Sequence, residues 1–104
     1  MGRKFKINAF QGHYFYEGLI GENSVIIDLG ACLGEFSSKM SETFRCKAYA
    51  VEASPFLFQQ IKESNSVRKF NYAITDRNGP KQLSISEDMR RNTIIPRKPY
   101  NINI

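Results

Sequence analysis

The chain has no tryptophan, a single histidine and two cysteines, Cys32 and Cys46, with no CxxC pair. Two cysteines cannot make a disulfide framework, so their usage points to a reducing, cytoplasmic compartment. No apolar run approaches the ~20 residues of a membrane-spanning helix, so no membrane partner is expected. The basic start (Arg3, Lys4, Lys6) runs into polar Asn8, Gln11 and His13 instead of the apolar stretch of a signal peptide. Lys6 stands where a myristoylation signal needs Ser or Thr. A P-loop is excluded because no GxxxxGK[ST] occurs. Internal repeats and low-complexity tracts are missing, and no metal-ligand set is read from the chain.

What remains is an ordinary globular composition. At 104 residues, 41% hydrophobic and 24% charged, the chain is long enough for one domain with a modest core. The net charge of +5 is divided between the start and Arg90, Arg91, Arg97 and Lys98 near the end. Spread in this way, it reads as solvated basic surface, and a nucleic-acid partner is disfavoured.

The first ~20 residues are rich in aromatics without a clean period, which predicts an irregular or helical lead-in over 1–21. Polar residues 22–24 precede Val25-Ile26-Ile27-Asp28-Leu29, an unbroken run that reads as a strand buried on both faces. After a glycine loop, Phe36, Met40 and Phe44 fall at i, i+4 and i+8, one stripe of an amphipathic helix starting at Glu35. Residues 47–52 form a second strand. Ser54-Pro55 opens a second helix, Ser as cap and Pro at the first helical position, with Leu57, Phe58 and Ile61 on its buried face. Residues 68–75 read as a third strand. Asn78-Gly79 is a hairpin turn signal that folds 82–86 back antiparallel on that strand. Residues 87–104 read as an irregular tail broken by Pro96 and Pro99, with 100–104 offering the start of another strand. The expected architecture is α/β: a partial Rossmann-like domain with a three-stranded parallel sheet, order 3-2-1, flanking helices and a C-terminal β-hairpin. Its cofactor-binding core spans 22–86.

Two features stand at the carboxyl ends of adjacent strands, where open α/β sheets bind ligands. One is Asp28-Leu29-Gly30-Ala31-Cys32-Leu33-Gly34, whose glycines allow a sharp turn and close approach. The other is Glu52, whose carboxylate suits the paired hydroxyls of a ribose. A dinucleotide fingerprint would need a small residue at position 35. Glu35 is large and anionic, and at a helix start it repels a pyrophosphate. The spacing therefore suits a ligand without phosphate.

The runs VIIDLGACLGEF, AVEASP and NYAITDRNG, the last followed by an alternating strand, resemble the FkbM family of methyltransferases over roughly residues 13–104. The resemblance implies a class I methyltransferase fold, S-adenosyl-L-methionine as cofactor, and O-methylation of a hydroxyl on a sugar or small natural product. It implies that the loop with Gly30, Ala31, Cys32 and Gly34 wraps the methionine half and that Asp28 holds its amino group. Glu52 would then take the ribose hydroxyls, and Ala53 and Ala73 would border the adenine. Cys32 departs from the family's usual Asn or Gly. A class I fold has seven strands, so the chain is expected to be its N-terminal half. The first strand is then expected to leave an uncovered edge through which copies self-associate.

Three alternatives stand beside this reading. They are a non-catalytic cofactor-binding fragment or regulatory module, a nucleic-acid-binding protein, and a nicotinamide-dependent dehydrogenase. His13 reads as a packed or surface side chain, Cys32 as a loop residue and not a nucleophile, and Cys46 as a small buried hydrophobe. No catalytic residue is assigned.

Overall fold

A computed structural model of the chain describes residues 6–79, 82–85 and 100–103. The chain opens with a β-hairpin of β1 (Ile7–Phe10) and β2 (His13–Tyr16), paired antiparallel with Phe10 opposite His13. The two-residue connection has Gln11 at φ 51° and Gly12 at φ 79°, the left-handed pair of a type I′ turn that matches the strands' twist. This overturns the irregular or helical lead-in. The aromatics lack a period because they are shared between two short strands, most of whose side chains are exposed.

The central sheet is parallel, in the order β3 (Val25–Leu29), β4 (Lys47–Val51), β5 (Val67–Phe70). It has the 3-2-1 order expected, with Ile27 opposite Tyr49 and Tyr49 opposite Arg68. Helix α1 (Glu35–Phe44) joins β3 to β4 and packs on the sheet. Helix α2 (Pro55–Gln60) joins β4 to β5 and is capped as expected, Ser54 Oγ accepting from Leu57 N–H at 3.4 Å.

Ala48, Ala50 and Val67 are buried on the helix-covered face of the sheet. Small side chains there let α1 approach closely, and α1 answers with Ser37, Met40 and Ser41. The expected stripe of Phe36, Met40 and Phe44 is thus divided. Met40 enters the core, while Phe36 and Phe44 meet the N-terminal hairpin. Phe36 contacts the rings of Phe10 and His13, and Phe44 meets Phe15 edge-on.

Three further expectations are corrected. The first strand is not buried on both faces, because Val25, Ile27 and Leu29 are exposed. The third strand ends at Phe70 instead of Thr75. Consequently it does not form the expected C-terminal hairpin with 82–86. Instead β6 (Gln82–Ile85) pairs antiparallel with β7 (Tyr100–Asn103), so the hairpin with a tight turn is the N-terminal one. The physical reason lies at Asn71. Its Nδ2 donates to the carbonyls of Glu52 (2.8 Å) and Ala53 (2.9 Å), and this side-chain bonding ends the ladder at the tip of β4. The irregular tail over 87–99 lies outside the described residues. No helix among the described residues is long and apolar enough to cross a membrane.

Candidate functional site

The loop between β3 and α1 lies at the carboxyl end of the sheet, and its backbone alternates. Gly30, Cys32 and Gly34 have φ of 78°, 54° and 77°, the left-handed region that costs an L-residue roughly 1–2 kcal/mol. The two glycines serve different ends. A Cβ on Gly34 would stand 2.8 Å from Ile61 Cγ2, so this glycine lets the loop close onto α2. A Cβ on Gly30 would meet nothing within 4 Å and would project into open space.

Hydrogen bonds within the protein occupy most of the loop's amides. Gly30 and Ala31 N–H both donate to the Val51 carbonyl (2.9 and 3.0 Å), and Gly34 N–H donates to Ala31 O (2.8 Å). Cys32 N–H donates to Glu52 Oε1 at 2.8 Å, and Ser54 N–H donates to Glu52 Oε2 at 2.8 Å. Glu52, only 6% exposed, therefore clamps the glycine loop and the start of α2 to the end of β4. Asp28 is half-buried and accepts a bond from Ser37 Oγ at 2.9 Å, which fixes its carboxylate from the helix side.

A cavity of about 230 Å³ opens beside this loop. Of the residues singled out in the sequence, Asp28, Gly30, Ala31 and Cys32 line it together. Gly34 and Glu52 do not line it, and both are buried. Ala53 is half-buried next to Glu52. Ala73 lines a different cavity of about 510 Å³ formed by residues 71–79. Among the described residues, no three His, Cys, Asp or Glu side chains gather as a metal site.

The remaining wall comes from the hairpin that the sequence reading missed. Gln11 and His13 line the same cavity, with Glu35 and Phe36 from the start of α1. His13 is exposed, yet its ring lies 4.7 Å from that of Phe36. Gln11 Nε2 donates to Glu35 Oε2. The only sequence signal for this wall was the Gln11-Gly12 turn between two short runs, weaker than the Asn-Gly or Asp-Gly that marks most such hairpins.

The two thiols differ in their surroundings. Cys46 is 1% exposed, its Sγ lies 3.7 Å from the Met40 carbonyl, and burial pushes its thiol up from its ordinary value. Cys32 is half-buried on the cavity wall. Because the thiolate is the reactive form, iodoacetamide is expected to label Cys32 in the folded chain and to spare Cys46. Peptide mass spectrometry reads this directly, and equal labelling of both would refute the burial of Cys46.

No family model matches the chain, and no curated protein is significantly similar to it. Among solved structures, the chain is similar to that of a candidate methyltransferase from an antibiotic biosynthesis pathway of Anabaena variabilis. The identity is 31%, over 53% of this chain and 22% of that one, with a TM-score of 0.49. The chain thus matches less than a quarter of that protein's length.

Proposed function

We infer that this chain is the cofactor-binding part of an S-adenosylmethionine-dependent methyltransferase of the FkbM type, acting on a hydroxyl of a sugar or small natural product. The observation that carries this reading is how the glycine loop uses its amides. A phosphate-binding loop aims its N–H groups at the ligand. Here those of Gly30, Ala31, Cys32 and Gly34 go to acceptors inside the protein, and a carboxylate, Asp28, faces the cavity in their place. Such a site suits a cation without phosphate better than a pyrophosphate.

The residues present fit S-adenosylmethionine. Asp28 would hold its ammonium group, and the open space over Gly30, which a Cβ would occupy, admits the methionine chain. Glu52 has about four lone-pair positions, of which two are filled by backbone N–H groups. The others would take the ribose hydroxyls, and Ala53 and Ala73, which stand outside the Asp28 cavity, would border the adenine where it extends beyond that cavity. When bound, the cofactor supplies an electrophilic sulfonium methyl to the acceptor oxygen. The chain's own contribution is to fix the donor so that the attack is in line, and such positioning carries much of the rate.

Calorimetry with S-adenosylmethionine, S-adenosylhomocysteine and NAD tests the reading. Heat is expected with both sulfur ligands and none with NAD. NAD binding with no response to either sulfur ligand would overturn it.

A further inference from the structure

The N-terminal hairpin is fastened to α1 at several points. Gln11 bonds Glu35, Phe10 and His13 contact Phe36, Phe15 meets Phe44, and Lys39 Nζ stands 5.7 Å above the Phe10 ring. This docking places a residue from outside the parallel sheet on the wall of the cavity. Besides the Cys32 thiol, the cavity's ionisable side chains are two carboxylates, Asp28 and Glu35, and one imidazole, His13.

That balance matters for a zwitterionic amino-acid group. Its ammonium end is served by Asp28. Its carboxylate end would enter a cavity that already holds two carboxylates, and like charges brought together without a counter-group repel. Backbone donors from the loop are mostly spent, as described above. Gln11 is engaged with Glu35, which moderates that acid but leaves the imidazole N–H of His13 as the cavity's side-chain donor for a carboxylate. The imidazole is exposed at the cavity and fixed on one side by the Phe36 ring, which limits the entropy lost when it bonds a ligand.

We propose that His13 is the carboxylate-binding residue of the site, so that the hairpin recognises the amino-acid end of the cofactor while the sheet holds the rest. The proposal rests on the S-adenosylmethionine reading of the cavity. It makes the hairpin a specificity element: ligands carrying an α-amino-acid group are favoured over those that end at the thioether.

The test compares S-adenosylhomocysteine with 5′-methylthioadenosine, which keeps the nucleoside and the thioether but lacks the amino-acid group. Two variants are used: His13→Ala, and His13→Phe, which keeps a ring against Phe36 but has no N–H. Both are expected to bind S-adenosylhomocysteine on the order of 10–100-fold more weakly, the loss of a charge-assisted hydrogen bond. Both should bind 5′-methylthioadenosine as the wild type does. Unchanged S-adenosylhomocysteine affinity in the folded His13→Phe chain overturns the proposal, as does an equal loss for both ligands. Those results leave the cofactor reading standing. A wild-type chain that binds neither ligand overturns the cofactor reading and this proposal together.

Discussion

Replacing Glu52 by Ala is expected to lower the unfolding free energy by about 3 kcal/mol. The carboxylate accepts from two main-chain N–H groups, Cys32 on the glycine loop and Ser54 at the start of α2, both at 2.8 Å. The Ser54 contact is buried and the Cys32 contact partly so. Leaving a buried donor unpaired costs roughly 1–3 kcal/mol. Two such donors, partly relieved by water entering the space of the lost side chain, give the figure above. Glu52→Gln should fall between the two, because the amide keeps one acceptor oxygen and turns an NH₂ toward the other donor. Urea unfolding of the three chains decides the matter. An Ala variant as stable as the wild type would mean that the clamp is not formed. The same experiment separates two roles for this residue. If Glu52 also takes the ribose hydroxyls, the Gln variant loses affinity for S-adenosylhomocysteine beyond what its lowered stability explains.

Reading Glu52 as a ligand residue illustrates what a sequence can convey. Its place at the end of the second strand was legible because residues 47–51 form a strand by composition and Ser54-Pro55 marks a helix start. Its engagement with Cys32 N–H was not legible, since that contact joins positions twenty apart. The same division runs through the site. Asp28, Gly30, Ala31 and Cys32 share one cavity because they are consecutive or nearly so. The other wall, with Gln11 and His13, arrives through packing of aromatics that no periodicity announced. The strand–helix–strand–helix–strand core was readable from patterning, down to its strand order. The third strand was overextended because Phe70, Tyr72 and Ile74 alternate well enough to continue it. Alternation cannot register that the Asn71 side chain ends the ladder by taking two carbonyls at the tip of β4. Likewise Asn78-Gly79 is a sound turn signal, but a turn does not dictate which strand the chain then pairs with, and β6 pairs β7.

The chain is expected to self-associate in solution through β3. Among the described residues, β3 pairs only with β4, and within them its other side is an edge. The face turned away from the helices carries Val25, Ile27 and Leu29, with Ile27 65% exposed. On this face Tyr49 stands opposite Ile27, and Val51 lies between Leu29 and Phe70. Tyr72 stacks beyond Phe70, extending the apolar surface. Among the described residues, exposed large hydrophobics outnumber buried ones, and the largest fully buried side chains are Cys46, Ser37 and Ser54. The core therefore contributes modestly to stability, and an apolar edge strand invites another chain. The expected partner is a second copy. About a two-fold axis through Ile27, antiparallel pairing sets Val25 against Leu29 and Ile27 against Ile27, joining two apolar faces into one. Light scattering should therefore give a mass of two chains or more. Ile27→Lys is expected to shift the population to monomer, since it sets two ammonium groups against each other across the axis. The substitution lies on the face away from α1 and should leave the helix-side core unchanged. A wild-type chain that stays monomeric and melts cooperatively above about 60 °C, high in the usual mesophile range, would show that this surface needs no cover.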